Sequence, residues 1–141
     1  MPPIRVLVVE DFEPYRQFIV SKLEGRRDLQ VIGEASDGLE AAQKAEELKP
    51  DLILLDIGLP RLNGIEASHR ISTVVPGAKI LFVTQNNDAD VVRALLGNGA
   101  SGYVLKVGAN TELLPAVDAV LQGEQFVSAS LNYGEGGPLA R

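Results

Sequence analysis

Asp51-Leu52-Ile53-Leu54-Leu55-Asp56-Ile57-Gly58-Leu59-Pro60 decides the fold. Four consecutive apolar residues run straight into a carboxylate, and Gly58 and Pro60 then break the chain. An apolar run this short reads as a strand buried on both faces, as in a parallel sheet covered by helices. Asp56 then stands where a central strand ends, and open α/β sheets bind their ligands outside the carboxyl ends of their strands. A single Asp after a strand is ordinarily a cap or a turn former. Its weight depends on what the other strand ends bring.

Upstream, residues 4–9 (Ile-Arg-Val-Leu-Val-Val) form a β-branched run that predicts a first buried strand ending in Glu10-Asp11. A helix follows with Tyr15, Phe18, Ile19 and Leu23 on one face, Pro14 in its first turn and Gly25 at its end. Residues 29–34 alternate less cleanly and suit a strand nearer an edge. Asp37-Gly38 opens a second helix through Leu48, which Lys49-Pro50 ends. Downstream, Asn63-Gly64 starts a third helix that runs to about residue 75, before Pro76-Gly77. Residues 79–83 are a fourth strand ending in Thr84. Asp88 caps a fourth helix with Val91, Ala94 and Leu95 inward, and Gly97-Asn98-Gly99 closes it. Residues 101–105 are a fifth strand ending in Lys106. The last helix runs from Asn110 or Thr111 to Gln122. It is expected to start late, because Pro115 deep inside a helix costs about 3 kcal/mol.

Five strands alternating with five helices predict a doubly wound, flavodoxin-like (βα)5 fold with a five-stranded parallel sheet. One domain over residues 1–127 is expected, with 128–141 as a flexible tail or linker stub, since periodicity stops after Gly123 and Gly134-Glu135-Gly136-Gly137-Pro138 follows. The absence of cysteine excludes disulfides and thiolate metal sites. No stretch approaches the roughly 20 apolar residues of a membrane span, and Met1-Pro2-Pro3-Ile4-Arg5 does not read as a signal peptide, so a soluble cytoplasmic protein with no membrane partner is expected. A net charge of −6, with no basic cluster beyond Arg26-Arg27, argues against direct nucleic-acid binding by this chain.

Of the two common doubly wound strand orders, 2-1-3-4-5 agrees with where the polar groups fall. Glu10-Asp11, Asp56, Thr84 and Lys106 end the first, third, fourth and fifth strands, whereas the second ends in the less pointed Glu34-Ala35-Ser36. Strands about 4.8 Å apart let Asp11 and Asp56 reach a common ion. Like charges ~4 Å apart repel by on the order of 4 kcal/mol at an effective dielectric of 20, so either one carboxyl takes up a proton or a cation enters. Oxygen donors without His or Cys favour Mg2+. Lys106 supplies a point charge and Thr84 a hydroxyl, both suited to a phosphoryl group on Asp56.

With these residues in place the chain strongly resembles the receiver domain of two-component response regulators over about residues 4–127. The resemblance rests on Val8-Val9-Glu10-Asp11, Leu54-Leu55-Asp56-Ile57-Gly58-Leu59-Pro60 with Asn63-Gly64, Phe82-Val83-Thr84, and Gly99-Ala100-Ser101-Gly102-Tyr103-Val104-Leu105-Lys106. The last motif and Gly123-Glu124-Gln125-Phe126-Val127-Ser128 look most like regulators with a C-terminal helix-turn-helix output domain, which in such regulators binds DNA. The resemblance implies that Asp56 is the phosphoacceptor, that Asp11, Asp56 and the Gly58 carbonyl bind Mg2+, and that Glu10 acts through water. It makes Thr84 the hydrogen-bonding hydroxyl, Lys106 the phosphoryl's ion-pair partner and Tyr103 the switch aromatic at the rim. A sensor histidine kinase or phosphotransfer protein is the implied donor, and the domain catalyses only its own phosphorylation and dephosphorylation. Gly58 and Asn86 occupy positions that tune hydrolysis.

Several positions depart from the family pattern. Gln85 follows Thr84 where a small residue is usual, so a long side chain crowds the phosphoryl position. Val107 replaces a frequent Pro, and Phe12 replaces a polar residue. Each site residue also has a plainer reading: Glu10-Asp11 as a helix cap, Thr84 as a strand end, Lys106 as a solvated lysine, Tyr103 as static packing. His69, the one histidine, reads as solvated. Two other functions are considered. An aspartyl-nucleophile phosphatase of the dehalogenase type needs a second Asp two residues after the nucleophile, where this chain has Gly58. A phosphorylation-independent interaction module would keep the fold while Gln85 blocks the chemistry. The first, fourth and fifth helices each offer a homodimer surface, and the sequence does not rank them.

Overall fold

The computed structural model describes residues 2–129 and 131. Its elements are β1 (Ile4–Val9), α1 (Glu13–Glu24), β2 (Leu29–Ala35), α2 (Gly38–Leu48), β3 (Leu52–Leu55), α3 (Gly64–Val74), β4 (Lys79–Thr84), α4 (Ala89–Gly97), β5 (Gly102–Leu105), α5 (Ala109–Leu121) and β6 (Phe126–Val127), with a 3-10 turn over Lys106–Gly108. The strand order is β2-β1-β3-β4-β5-β6. The expected order 2-1-3-4-5 therefore holds, and a short sixth strand extends it.

The residues fall into two compact units, one up to Ile80 and one from Leu81. In the first, β1 pairs in parallel with both β2 and β3. Val6 to Val9 and Leu52 to Leu55 are all essentially inaccessible, which is why both strands are continuous apolar runs. The irregular alternation of β2 has a cause: the register shifts between Val6 and Leu7, so that Val6 faces Val31 but Leu7 faces Gly33.

Side chains close the helix ends. Asp37 accepts the Glu40 N–H, Asn63 the Glu66 N–H at 2.9 Å, and Asp88 the Asp90 N–H at 2.8 Å. At the other end of α2, Arg5 reaches across from β1 and donates to the Leu48 and Lys49 carbonyls at 2.7 and 2.8 Å, satisfying orphan acceptors. Two glycines are required by close approach: a Cβ at Gly38 would lie 1.7 Å from the Leu62 carbonyl oxygen, and one at Gly64 would lie 1.9 Å from the Asp56 carbonyl oxygen.

In the second unit β5 pairs in parallel with β4 and with β6. Here the structure corrects several expectations. Helix α5 begins at Ala109 rather than late, and Pro115 lies inside it. The 3-10 turn feeds directly into the helix, and Pro115 is exposed, so water can reach the Thr111 carbonyl that loses its partner; burial of Leu113, Ala116, Val117 and Val120 outweighs the lost bond. The inward residues of α4 are Val92 and Leu95, while Val91 is half-buried and Ala94 exposed, a phase error of one residue in a short helix. In the first unit, Tyr15 and Phe18 of α1 are only half-buried and Val20 takes a buried place beside Ile19 and Leu23.

Ser128, the first residue of the expected tail, is buried. Its N–H donates to the Tyr103 carbonyl, and its hydroxyl accepts from the Leu105 N–H at 2.8 Å while donating to Glu112 Oε1 at 2.6 Å. Glu112 Oε2 in turn accepts from the Ala129 N–H at 3.0 Å, and Leu131 is buried. The rest of that stretch lies outside the described residues.

Candidate functional site

Register builds the acidic site. Val9 is paired with Leu55, so the next residues on the two strands, Glu10 and Asp56, emerge side by side as the chains leave the sheet. The Asp56 N–H still donates to the Val9 carbonyl at 3.2 Å, and the Glu10 N–H to the Ala35 carbonyl at 3.0 Å, so both leave from hydrogen-bonded backbone. Each of Glu10, Asp11 and Asp56 presents a carboxylate oxygen within 4.8 Å of the other two. Glu10 and Asp56 are 1% and 6% exposed, whereas Asp11 is open to solvent. The carboxylates are thus converged but reachable from one side.

Local hydrogen bonds orient them. The Phe12 N–H donates to Glu10 Oε2 at 3.0 Å and the Ile57 N–H to Asp56 Oδ1 at 2.7 Å. The turn after Asp56 is held by Gly64 and Leu59 N–H groups, both donating to the Ile57 carbonyl at 2.8 Å. Gly58 sits exposed on that turn with nothing within 4 Å of where a Cβ would be. Three carboxylates with no nitrogen or sulfur donor among them form a hard-oxygen set, and that chemistry fits Mg2+ better than zinc or copper.

The second unit carries a connected polar chain. Thr84 is buried at the end of β4, and its Oγ1 accepts from the Asn86 N–H at 3.3 Å. The Tyr103 hydroxyl donates to the Asn86 carbonyl at 2.6 Å, and the Tyr103 ring lies 6.2 Å from that of Phe82. Thr84 and Tyr103 are therefore linked through one residue. Tyr103 was expected at the rim and is instead fully buried. Its neighbours on β5 are apolar, and the Asn86 carbonyl gives its hydroxyl a hydrogen-bond partner. Lys106 is half-buried at the end of β5, where the 3-10 turn begins. Gln85 is exposed. His69 is exposed as expected.

The response regulator receiver domain family matches residues 6–118. This chain belongs to that family. Among curated relatives of this receiver, the transcriptional regulatory protein LiaR of Bacillus subtilis is 40% identical over 121 residues, covering 86% of this chain and 57% of LiaR. Response regulator GacA of Pseudomonas viridiflava is 36% identical over 128 residues, covering 91% of this chain and 60% of GacA. The receiver thus spans about three fifths of the length of these relatives. Among solved structures, a LuxR-family two-component response regulator from Aurantimonas superposes with a TM-score of 0.86 at 32% identity, covering 92% of both chains. The isolated receiver of RcsB from Salmonella enterica, determined with the phosphomimetic BeF3−, gives 0.85 at 26% identity over 92% of this chain and 96% of that one. No helix among the described residues is long and apolar enough to cross a membrane.

Two groups, one in each unit, make contacts that residue type does not announce. Arg16 was not singled out, although it follows Glu10 by six residues and its guanidinium returns to the Glu10 carbonyl. Asn86 was noted only for tuning, yet its backbone carries the link between Thr84 and Tyr103. Both contacts involve main-chain atoms, which leave no trace in residue type.

Proposed function

We propose that this receiver accepts a phosphoryl group on Asp56 from the phosphohistidine of a sensor kinase or phosphotransfer protein, and that the modification switches an interaction surface. The observation that supports it most is the convergence of Glu10, Asp11 and Asp56, with Asp56 buried at the end of the central apolar strand. An Asp56 oxygen attacks phosphorus in line with the P–N bond; that bond breaks, its electron pair returns to the imidazole, and a mixed anhydride forms on Asp56. Asp11, Asp56 and the Gly58 carbonyl are the groups assigned to Mg2+, with Glu10 acting through water. When bound, the cation offsets the charge that gathers on the phosphoryl oxygens. Thr84 is assigned the hydroxyl donor to the phosphoryl group, Lys106 the cation that pairs with it, and Tyr103 the aromatic that responds. Water attack on phosphorus later releases phosphate and restores the carboxylate; Gly58 offers that water no side chain, and Gln85 and Asn86 border the same step. The domain is assigned residues 1–127 and acts on itself, not on an exogenous substrate. In a longer regulator of the LiaR or GacA kind, the output would lie beyond this chain, and this receiver would not touch DNA itself.

Acetyl phosphate with Mg2+ tests the reading. Wild type should gain one phosphoryl group by intact mass, and Asp56→Asn should gain none. Labelling of Asp56→Asn overturns the assignment of the acceptor. Absence of labelling in wild type favours an interaction module, and turnover of a generic phosphoester favours a phosphatase.

A further inference from the structure

Arg16 lies on α1, outside the acidic cluster, yet its side chain is only 15% exposed. Its Nη1 donates to the Glu10 carbonyl at 2.8 Å and its Nε to Glu34 Oε1 at 2.9 Å. Glu34 is itself held: Gln17 Nε2 donates to the same oxygen at 2.9 Å, and Lys44 Nζ donates to the Glu34 carbonyl. The guanidinium therefore bridges a fixed point on β2 and one particular peptide group, the one joining Glu10 to Asp11. That peptide is planar, so fixing its oxygen fixes the direction in which Asp11 leaves β1. The Glu10 N–H and its Oε2 are also engaged, by the Ala35 carbonyl and the Phe12 N–H. Arg16 thereby completes a three-point clamp on the residue that precedes the exposed ligand.

We propose that Arg16 is a positioning residue of the metal site: its fork holds the Glu10–Asp11 peptide so that the Asp11 carboxylate stays converged with Asp56. The inference rests on the receiver reading above. It makes a prediction opposite in sign to simple electrostatics. A cation beside an acidic cluster opposes the binding of another cation, so removing its charge alone tightens metal binding. Removing a clamp loosens it. Lysine keeps the charge but lacks the rigid fork that serves a carbonyl and a carboxylate at once.

The test uses the unphosphorylated chain and Mn2+ as the probe, with free Mn2+ read by electron paramagnetic resonance. Both Arg16→Gln and Arg16→Lys should weaken Mn2+ binding about tenfold, the lower range for residues that orient metal ligands. Arg5→Gln is the control: it removes a comparable guanidinium-to-carbonyl clamp at the other end of β1, and should lower the unfolding midpoint with Mn2+ affinity unchanged. Equal or tighter binding in both Arg16 variants overturns the proposal, as does an equal loss in Arg5→Gln. Should the Arg16 variants fail to fold, Glu34→Ala, which removes the acceptor of the Arg16 Nε, decides: weaker binding supports the clamp, and unchanged binding overturns it. If wild type binds no Mn2+, the metal reading itself fails, and that outcome is distinct from the others.

Discussion

Gly58 and Gly64 lie six residues apart in the turn that follows β3, and opposite constraints hold them. A methyl group at Gly64 would collide with the Asp56 carbonyl oxygen, which is backbone and cannot rotate away. Gly64→Ala should therefore cost about 1–3 kcal/mol, as overpacking does, and displace the Asp56 peptide as well. Gly58 has open space around it, so Gly58→Ala should stay within about 0.5 kcal/mol of wild type. Paired urea titrations check both, and equal costs would contradict this account. Any change that Gly58→Ala makes to the lifetime of the phosphoryl group proposed on Asp56 is then chemical. At this scale the acidic cluster was largely legible, because carboxylates at strand ends announce themselves by type. Tyr103 was not, since whether an aromatic on a short strand points to the rim or the core depends on what covers that strand.

Helix α2 shows how an element can be tuned from outside its own span. The Glu40 carboxylate accepts from the Ser36 N–H at 2.8 Å, and Lys44 Nζ lies 3.1 Å away, while Asp37 accepts from the Glu40 N–H. The Ser36 hydrogen bond is the main reason the Glu40 carboxyl titrates below its ordinary 4.5; partial burial pulls the other way, and Lys44 adds to the lowering. A carboxyl depressed in the folded state contributes stability that is complete above the unfolded value and is lost as pH falls through the folded one. Glu40→Gln should therefore be less stable at pH 7 by about 0.5 kcal/mol, the screened scale of an exposed pair, and the gap should close as pH drops below 4.5. Urea midpoints at several pH values measure it, and a gap that widens in acid would contradict the assignment. Element boundaries were legible where caps mark them, as at Asp37, Asn63 and Asp88. They were not at α5, where a proline rule local to Pro115 lost to burial of four neighbours, nor at β6, whose two residues are a strand only because β5 lies beside them.

For the molecule as a whole, the site stores like-charge repulsion in a chain that already carries a net charge of −6. Three converged carboxylates oppose folding until a cation offsets them. Without divalent cations, Asp56→Asn should melt above wild type, since it removes one of the charges without changing shape. Added Mg2+ should raise the wild-type midpoint, by up to about 2.7 kcal/mol of stability at a hundredfold excess over the dissociation constant, and raise that of Asp56→Asn far less. Calorimetry with NaCl at matched ionic strength separates binding from screening. Equal gains in the two proteins would place the cation elsewhere.

Residue order alone carries the alternation of strands and helices, the strand order and the acidic, hydroxyl and lysine groups that end the strands. Those properties follow from periodicity and residue type, which are local, and from the few right-handed ways of winding such units. Packing in three dimensions sets the Tyr103 hydroxyl on the Asn86 carbonyl, clasps Ser128 with Glu112, and brings Arg16 onto the peptide before Asp11. Each of these joins groups distant along the chain or uses a main-chain oxygen, which every residue carries alike. A side chain advertises its chemistry in the sequence, but the partner it finds is fixed by packing.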